Sequence, residues 1–197
     1  LLLASGLARS AQAQAGSGPV VVTLRFEGAL HPAMNEHLKR AVMIAEREGA
    51  GLIILGLDTP GGNTDLMTKL MQQIRASEIP VVVYVSPRGA MAGSAGALIT
   101  LAGHAAAMAP ETTIGAASPV GGSGEDIGET MESKLKEMFR ATVRTYAADR
   151  PEEAIALAED MIQNARAVSV DEALAIGLVD LKASDLDDLL AQIDGRQ

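Results

Sequence analysis

The chain has 197 residues, a formal net charge of −9 and no cysteine, and only 2% of its residues are aromatic. This acidic, ring-poor composition argues against a nucleic-acid partner, because such partners need basic surfaces and stacking platforms. The absence of cysteine excludes disulfides and thiolate chemistry, and three histidines make a histidine-based metal site unfavourable. We therefore expect no metal and no cofactor, and chemistry that uses serine, threonine, lysine or carboxylates.

The start of the chain is predicted to be a targeting segment. Residues 1–15 combine an apolar start, small residues and two overlapping Ala-x-Ala sites, which are typical of the end of a secretory signal peptide. We predict a truncated signal peptide over 1–15 and one domain over 16–197, with a disordered alanine-rich leader as the alternative. No later segment has the roughly 18 uninterrupted apolar residues that a membrane span requires.

Strands and helices are predicted to alternate along the rest of the chain. The predicted strands are 20–26, 52–57, 81–85, 105–109 and 178–181, and the predicted helices are roughly 32–48, 66–74, 94–102, 131–146 and 151–162, then one that begins at Ser169 and a final acidic one. Residues 115–128 are rich in glycine and lack helical periodicity, which predicts a mobile loop. The alternation indicates an α/β fold with a mostly parallel sheet and helices on both faces.

Two glycine-rich turns follow predicted strands, at the sheet edge where α/β proteins place their sites. The first, Asp58–Gly62, fits an oxyanion hole formed by backbone N–H groups, and it fits a tight turn equally well. In the second, Ser94 stands among glycine and alanine before a helix, which suits an exposed nucleophile. The residues alone favour a simple helix cap for Ser94, because such small-residue strings are common.

A serine nucleophile needs a base, and lysine is the remaining candidate. His104 is ten residues downstream of Ser94, and His31 and His37 belong to the first predicted helix or its flank. A lysine serves as a base near pH 7 only where desolvation lowers its pKa from 10.4 by about 3 units. Lys134 and Lys136 both border an apolar helix stripe, and the helical wheel does not choose between them. The alternative is that both extend into solvent, as lysines on helices usually do.

The motifs together resemble a known family. They read LDTPGG, then PVVVYVSPRGAMAGSAGALITLAGHAAAMAPETTIGAASPVGG, then SVDEALAIGLVDL. Over about residues 19–186 they are similar to the ClpP-class serine protease domain of NfeD-type membrane proteases, which are often encoded beside a stomatin-like protein. The resemblance implies a ClpP/crotonase-like fold and a serine endopeptidase with a Ser-Lys dyad.

Carried onto this chain, the resemblance implies a role for each motif residue. Ser94 is the expected nucleophile and Lys134 the expected base, with Lys136 as the fallback. Gly61, Gly62 and the backbone of Ala95 are the expected oxyanion-hole residues. We further expect four residues to contact substrate, namely Pro60, Met91, Pro119 and Val120.

The chain departs from the family pattern at two positions. Many relatives carry asparagine three residues after the lysine, where this chain has Glu137, and a nearby carboxylate stabilises the charged form of a lysine. ClpP has its catalytic histidine where this chain has Ala117, so a Ser-His-Asp triad is not available.

The resemblance also implies the setting in which the domain works. The substrate is expected to be an apolar segment of a stomatin-like membrane partner, and the domain is expected to be a homodimer on the secreted side of the membrane. Its attachment to the membrane would use segments absent from this chain. A catalytically weak or inactive scaffold that binds a stomatin-like protein is one alternative, and a crotonase-fold acyl-CoA enzyme is another.

Overall fold

A five-stranded parallel sheet forms the centre of the computed structural model, which describes residues 19–121 and 125–195. Its strand order is β1-β2-β3-β5-β8, and a smaller sheet has the order β4-β6-β7. The strands are β1 (Val21–Glu27), β2 (Leu52–Asp58), β3 (Val81–Val85), β4 (Met91–Gly93), β5 (Ala105–Met108), β6 (Thr113–Gly115), β7 (Ala167–Ser169) and β8 (Leu181–Lys182). The helices are α1 (Pro32–Glu48), α2 (Thr64–Ala76), α3 (Ala95–Ala102), α4 (Glu129–Tyr146), α5 (Glu152–Gln163), α6 (Val170–Ala175) and α7 (Leu186–Ile193).

Alternating side chains of the central strands build a core on each face of the sheet. In β2, Ile53 and Leu55 join the larger core, whereas Ile54 joins the smaller core on the opposite face. The larger core contains buried residues of α1, α2, α3 and α5, and Leu189 of α7 belongs to the smaller one. This arrangement explains the continuous apolar runs of β2 and β3, because both faces of a covered parallel sheet are buried. The predicted α/β fold with a mostly parallel sheet is confirmed.

The smaller sheet was not predicted. Each of its three strands has only three residues, and β4 and β6 consist largely of alanine, glycine and threonine. β4 and β6 pair in parallel, and β7 returns antiparallel to β6 from more than 50 residues downstream. Such strands carry no periodic signal, because long-range pairing rather than local pattern creates them.

One predicted strand is wrong in its position. The last strand of the large sheet is Leu181–Lys182, whereas the apolar run suggested 178–181. Leu178 and Val179 lie in the connection after α6, where both side chains are buried in the larger core. Burial rather than sheet pairing therefore accounts for this part of the run.

Several predicted features lie outside the described residues. The proposed signal peptide over 1–15 is one, and the centre of the proposed loop, 122–124, is another. The parts of that loop on either side of 122–124, Ala116 to Gly121 and Glu125 to Gly128, contain no helix or strand. None of the helices that the structure describes is long and apolar enough to cross a bilayer.

Candidate active site

The two glycine-rich turns lie side by side at the carboxyl ends of β2 and β3. Thr59 pairs with Ala92 in a parallel β-bridge. The Thr59 N–H donates to the Met91 carbonyl at 2.8 Å, and the Gly93 N–H donates to the Thr59 carbonyl at the same distance. Because β2 and β3 are adjacent parallel strands, the turns that follow them meet at one edge of the sheet.

Ser94 occupies a sharp strand-to-helix turn between β4 and α3. Its backbone has φ 51° and ψ −119°, a left-handed region that residues with a side chain rarely adopt. The Ser94 N–H donates to the Gly115 carbonyl at 2.8 Å, and its carbonyl accepts from the Ala97 N–H at 3.0 Å. The hydroxyl forms no helix-capping hydrogen bond. A strained backbone with a half-buried serine whose hydroxyl does not cap the helix is typical of a nucleophile turn rather than of a helix cap.

Close packing of the two turns explains their glycines. A Cβ atom on Gly61 would lie 2.6 Å from the Cβ of Ser94, and one on Gly93 would lie 3.0 Å from the Pro60 carbonyl oxygen. A Cβ atom on Gly96 would lie 2.6 Å from the methyl group of Thr59. Side chains at these positions would therefore push the two turns apart.

Backbone N–H groups of both turns are available next to Ser94. The Gly61 N–H is already used, because it donates to the Thr59 hydroxyl at 3.0 Å. Among the described residues, the Gly62 N–H has no acceptor, and Ala95 is the first residue of α3, where no intrahelical acceptor exists. Gly62 and Ala95 both line the cavity in front of Ser94, and Gly61 does not. The geometry therefore favours Gly62 over Gly61 as the donor of the first turn.

A cavity of about 520 Å³ opens in front of Ser94. Its walls come from both glycine-rich turns, from α2 and α3, from the segment after β6 and from α4. They include Pro60, Gly62, Asn63, Thr64, Met67, Ser94, Ala95, Leu98, Ala116, Ala117, Ser118, Pro119, Val120, Gly121, Leu135 and Phe139. No acidic or basic side chain belongs to this described lining, which suits an apolar ligand.

Three of the four expected substrate-contact residues belong to the cavity. Pro60, Pro119 and Val120 line it, and the Val120 side chain is 62% exposed. Met91 is not in the lining, although it is 45% exposed on the neighbouring strand β4. The deeper apolar residues Met67 and Leu98 were not singled out from the sequence, because their helical spacing is equally typical of a core.

The structure does not bring either candidate lysine into the cavity lining. Lys134 is exposed on α4, directly before Leu135, which lines the cavity. Lys136 is half-buried, and its ammonium lies 2.6 Å from the Glu132 carboxylate. Glu137, the departure from the family pattern, pairs with Arg140 at 2.6 Å. Within the described residues Lys134 forms no ion pair. The carboxylate of Glu137 therefore pairs with Arg140 and not with Lys134.

None of the three histidines belongs to the described lining of the Ser94 cavity. His31 and His37 are exposed. His104 accepts a hydrogen bond on Nδ1 from the N–H of Val81, the first residue of β3, at 3.1 Å. Burial and the nearby charge of Arg75 lower the pKa of His104. Ala117 lines the cavity beside Ser94, and no cluster of His, Cys, Asp and Glu in the described part of the chain is arranged to hold a metal.

Gly61→Ala tests whether the contact between the turns matters for activity. The new Cβ would lie 2.6 Å from that of Ser94 on a backbone with φ +114°, so we expect peptide cleavage to fall by about 100-fold. Gly49→Ala is the matched control, because Gly49 also has a positive φ, 62°, but nothing within 4 Å of an added Cβ. Cleavage rates and melting temperatures of both variants are the measurement. Equal activity in the two variants would contradict the role of the contact.

Comparison with known proteins agrees with the fold. The family model described as "NfeD1b, N-terminal domain" matches residues 20–196, and the chain belongs to this family. The chain is 36% identical over 178 residues to membrane-bound protease PH1510 of Pyrococcus horikoshii, and 30% identical over 183 residues to membrane protein NfeD1b of Bacillus subtilis. The matches cover 89% and 88% of this chain but only 40% and 41% of those proteins. The chain thus spans about two fifths of the length of these relatives.

Solved structures of the relative from Pyrococcus horikoshii are also similar. A serine-to-alanine variant of the 1510-N membrane-bound stomatin-specific protease has a TM-score of 0.82 and 33% identity, over 91% of this chain and 86% of that chain. A lysine-to-alanine variant in complex with a substrate peptide has a TM-score of 0.83 and 33% identity, over 91% and 82%. ClpP1 from Listeria monocytogenes, at 18% identity and a TM-score of 0.65 over 85% and 94% of the two chains, shows the ClpP-like fold alone.

Proposed function

We propose that this domain is a serine endopeptidase that uses Ser94 as its nucleophile and Lys134 as its base. The observation that supports this function best is the Ser94 turn, which places a hydroxyl without a helix-capping hydrogen bond at a cavity with no charged side chain in its described lining, beside two available N–H groups. The relatives with the same fold include a protease whose structures were solved with a serine or a lysine changed to alanine.

The reaction would proceed by acyl transfer. Neutral Lys134 takes the proton of Ser94, and Oγ attacks the scissile carbonyl carbon to form a tetrahedral intermediate. The N–H groups of Gly62 and Ala95 stabilise its oxyanion. Lys134 then returns the proton to the leaving amine, and water hydrolyses the acyl-enzyme. No cofactor or metal is needed for any of these steps.

Lys134 would reach Ser94 from the wall of the cavity. The next residue of α4, Leu135, lines the cavity, and Lys134 is free of ion pairs with the described residues. The serine and the lysine changed in the related structures are one residue farther apart than Ser94 and Lys134, and one residue closer than Ser94 and Lys136. Spacing therefore does not choose between the lysines, and the ion pair of Lys136 with Glu132 favours Lys134.

The substrate would be an apolar peptide segment from a stomatin-like protein. The described cavity lining has no charged side chain, and the structurally similar relative is a stomatin-specific protease. We further propose that the domain acts as a homodimer on the secreted side of a membrane, with its anchor outside 1–197. The described lining also contains no arginine or lysine that would bind the phosphates of an acyl-CoA, which disfavours a crotonase-fold acyl-CoA enzyme.

A non-catalytic scaffold for a stomatin-like protein is the second candidate. One observation favours it, which is that neither Lys134 nor Lys136 belongs to the lining of the Ser94 cavity. A scaffold would bind apolar peptides without cleaving them, so binding and cleavage have to be measured on the same peptide.

Matched peptides test the proposed function. We expect the purified chain to cleave an apolar peptide at least about tenfold faster than the same peptide with glutamate at its central positions, because burying one aliphatic side chain contributes roughly 1.5–3 kcal/mol. Mass spectrometry of the products and calorimetric binding are the measurements. Binding without cleavage would favour the scaffold, and equal cleavage of both peptides would contradict the apolar specificity.

A further inference from the structure

Thr59 lies between the two glycine-rich turns and contacts both. It is fully buried, and its backbone pairs with the strand that leads to Ser94 through the hydrogen bonds to Met91 and Gly93. Its methyl group occupies the space that a side chain on Gly96 would need, 2.6 Å from the place of a Cβ there. The position of Thr59 relative to the Ser94 turn is therefore set by three separate contacts.

The hydroxyl of Thr59 contacts the other turn. It accepts a hydrogen bond from the Gly61 N–H at 3.0 Å and donates one to the Gly61 carbonyl oxygen at 3.3 Å. The Leu30 N–H donates to the same carbonyl oxygen at 2.9 Å. Two donors from different parts of the chain therefore hold the carbonyl of the peptide unit that joins Gly61 to Gly62.

The orientation of that carbonyl also sets the direction of the Gly62 N–H. A trans peptide unit is planar, and its C=O and N–H groups point to opposite sides. With the carbonyl held by Thr59 and Leu30, the Gly62 N–H points away from both residues. Gly62 lines the cavity in front of Ser94, and its N–H has no acceptor among the described residues.

From these contacts we infer that Thr59 is a positioning residue for the oxyanion hole. Its hydroxyl orients the Gly61–Gly62 peptide unit so that the Gly62 N–H meets the carbonyl oxygen of a substrate attacked by Ser94. The inference rests on the proposed endopeptidase function. In this inference Gly61 does not contribute its N–H to the oxyanion hole, because that N–H donates to the Thr59 hydroxyl rather than to the substrate.

Thr59→Val tests the inference, because valine keeps the shape of threonine and lacks the hydroxyl. We expect kcat for the apolar peptide to fall by about 10- to 100-fold and KM to change by less than about threefold, because an oxyanion donor acts on the transition state. Thr59→Ser keeps the hydroxyl and should retain kcat within about threefold. A purely structural role would not produce this separation of kcat from KM.

Thr112→Val is the matched control for loss of a buried hydroxyl. Thr112 is also fully buried, and its hydroxyl donates to the Ala109 carbonyl at 2.5 Å. We expect its melting temperature to fall about as much as that of Thr59→Val, with kcat unchanged. Should Thr59→Val not fold, the ratio of kcat between Thr59→Ser and Thr59→Ala isolates the hydroxyl in the same way.

The outcomes separate this inference from the proposed function. Cleavage by the wild type with an unchanged kcat in Thr59→Val contradicts the inference alone, and so does an equal loss in Thr59→Val and Thr59→Ser. No cleavage by the wild type contradicts the proposed function and this inference together. A loss confined to the variants without the hydroxyl supports both.

Discussion

Ser94→Ala is expected to abolish cleavage of an apolar peptide while leaving the fold unchanged. Without the hydroxyl no acyl-enzyme can form, and loss of the nucleophile in serine hydrolases lowers kcat by about a millionfold, with a small residual rate from the oxyanion hole. The substitution also removes no helix-capping hydrogen bond, because the Ser94 hydroxyl does not cap α3. Steady-state cleavage rates, the melting temperature and labelling by a serine-reactive phosphonate are the measurements.

Ser86→Ala is a suitable control for this variant. Ser86 follows β3, its hydroxyl donates to the Tyr84 carbonyl at 3.3 Å, and it is absent from the described lining of the Ser94 cavity. The control should cleave and be labelled like the wild type. Retained cleavage in Ser94→Ala would contradict the nucleophile assignment, whatever the behaviour of Ser86→Ala.

Lys134→Ala is expected to lower kcat by about 10²- to 10⁴-fold, the range for loss of a general base. The same measurement on Lys136→Ala compares the two candidate bases directly, because both lysines are on α4 within one turn. Lys182→Ala is the matched control for Lys136→Ala, since Lys182 also forms an ion pair at 2.6 Å, with Asp171, and is absent from the described lining of the Ser94 cavity. The control should keep full activity and lose at most about 1 kcal/mol of stability.

The pH profile gives a second readout of the base. A rate that depends on a neutral lysine rises with pH as the ammonium loses its proton, and a flat profile between about pH 6 and 9 would contradict the dyad. Loss of activity only in Lys136→Ala would assign the base to Lys136. Small and equal losses in both variants would favour the non-catalytic scaffold.

The central layer of the fold could be predicted because each of its parts has a local signal. The apolar runs of β2 and β3 end at glycine- or proline-rich turns, and α1 and α2 show apolar residues at helical spacing. Ser169 and Glu172 form the predicted helix start, with the serine hydroxyl and the glutamate carboxylate each accepting from the backbone N–H of the other residue. These signals arise within one element and its nearest neighbours, so they are readable without tertiary contacts.

The smaller sheet and the details of the site depended on contacts between distant residues. The LDTPGG motif does not distinguish Thr59, because a threonine after a strand has no characteristic pattern. Its role depends on tertiary contacts, since its buried hydroxyl bonds to Gly61, whose carbonyl also accepts from the Leu30 N–H. The same applies to the two lysines. A helical wheel shows where Lys134 and Lys136 lie around their own helix, but it does not give their distances from Ser94. Three-residue strands such as β6 also have no recognisable pattern in the sequence.

The amino-acid sequence by itself determined the family, the α/β class, the chemistry available without cysteine and the two glycine-rich turns with Ser94. These properties depend on residue type and local order, which the chain displays directly. Only the tertiary structure decided that the Gly61 N–H is bonded to the Thr59 hydroxyl, that the Gly62 N–H is the available hydrogen-bond donor and that Glu137 pairs with Arg140. The physical reason is that hydrogen bonds and ion pairs depend on distances and directions of a few ångströms, which packing sets and residue order does not.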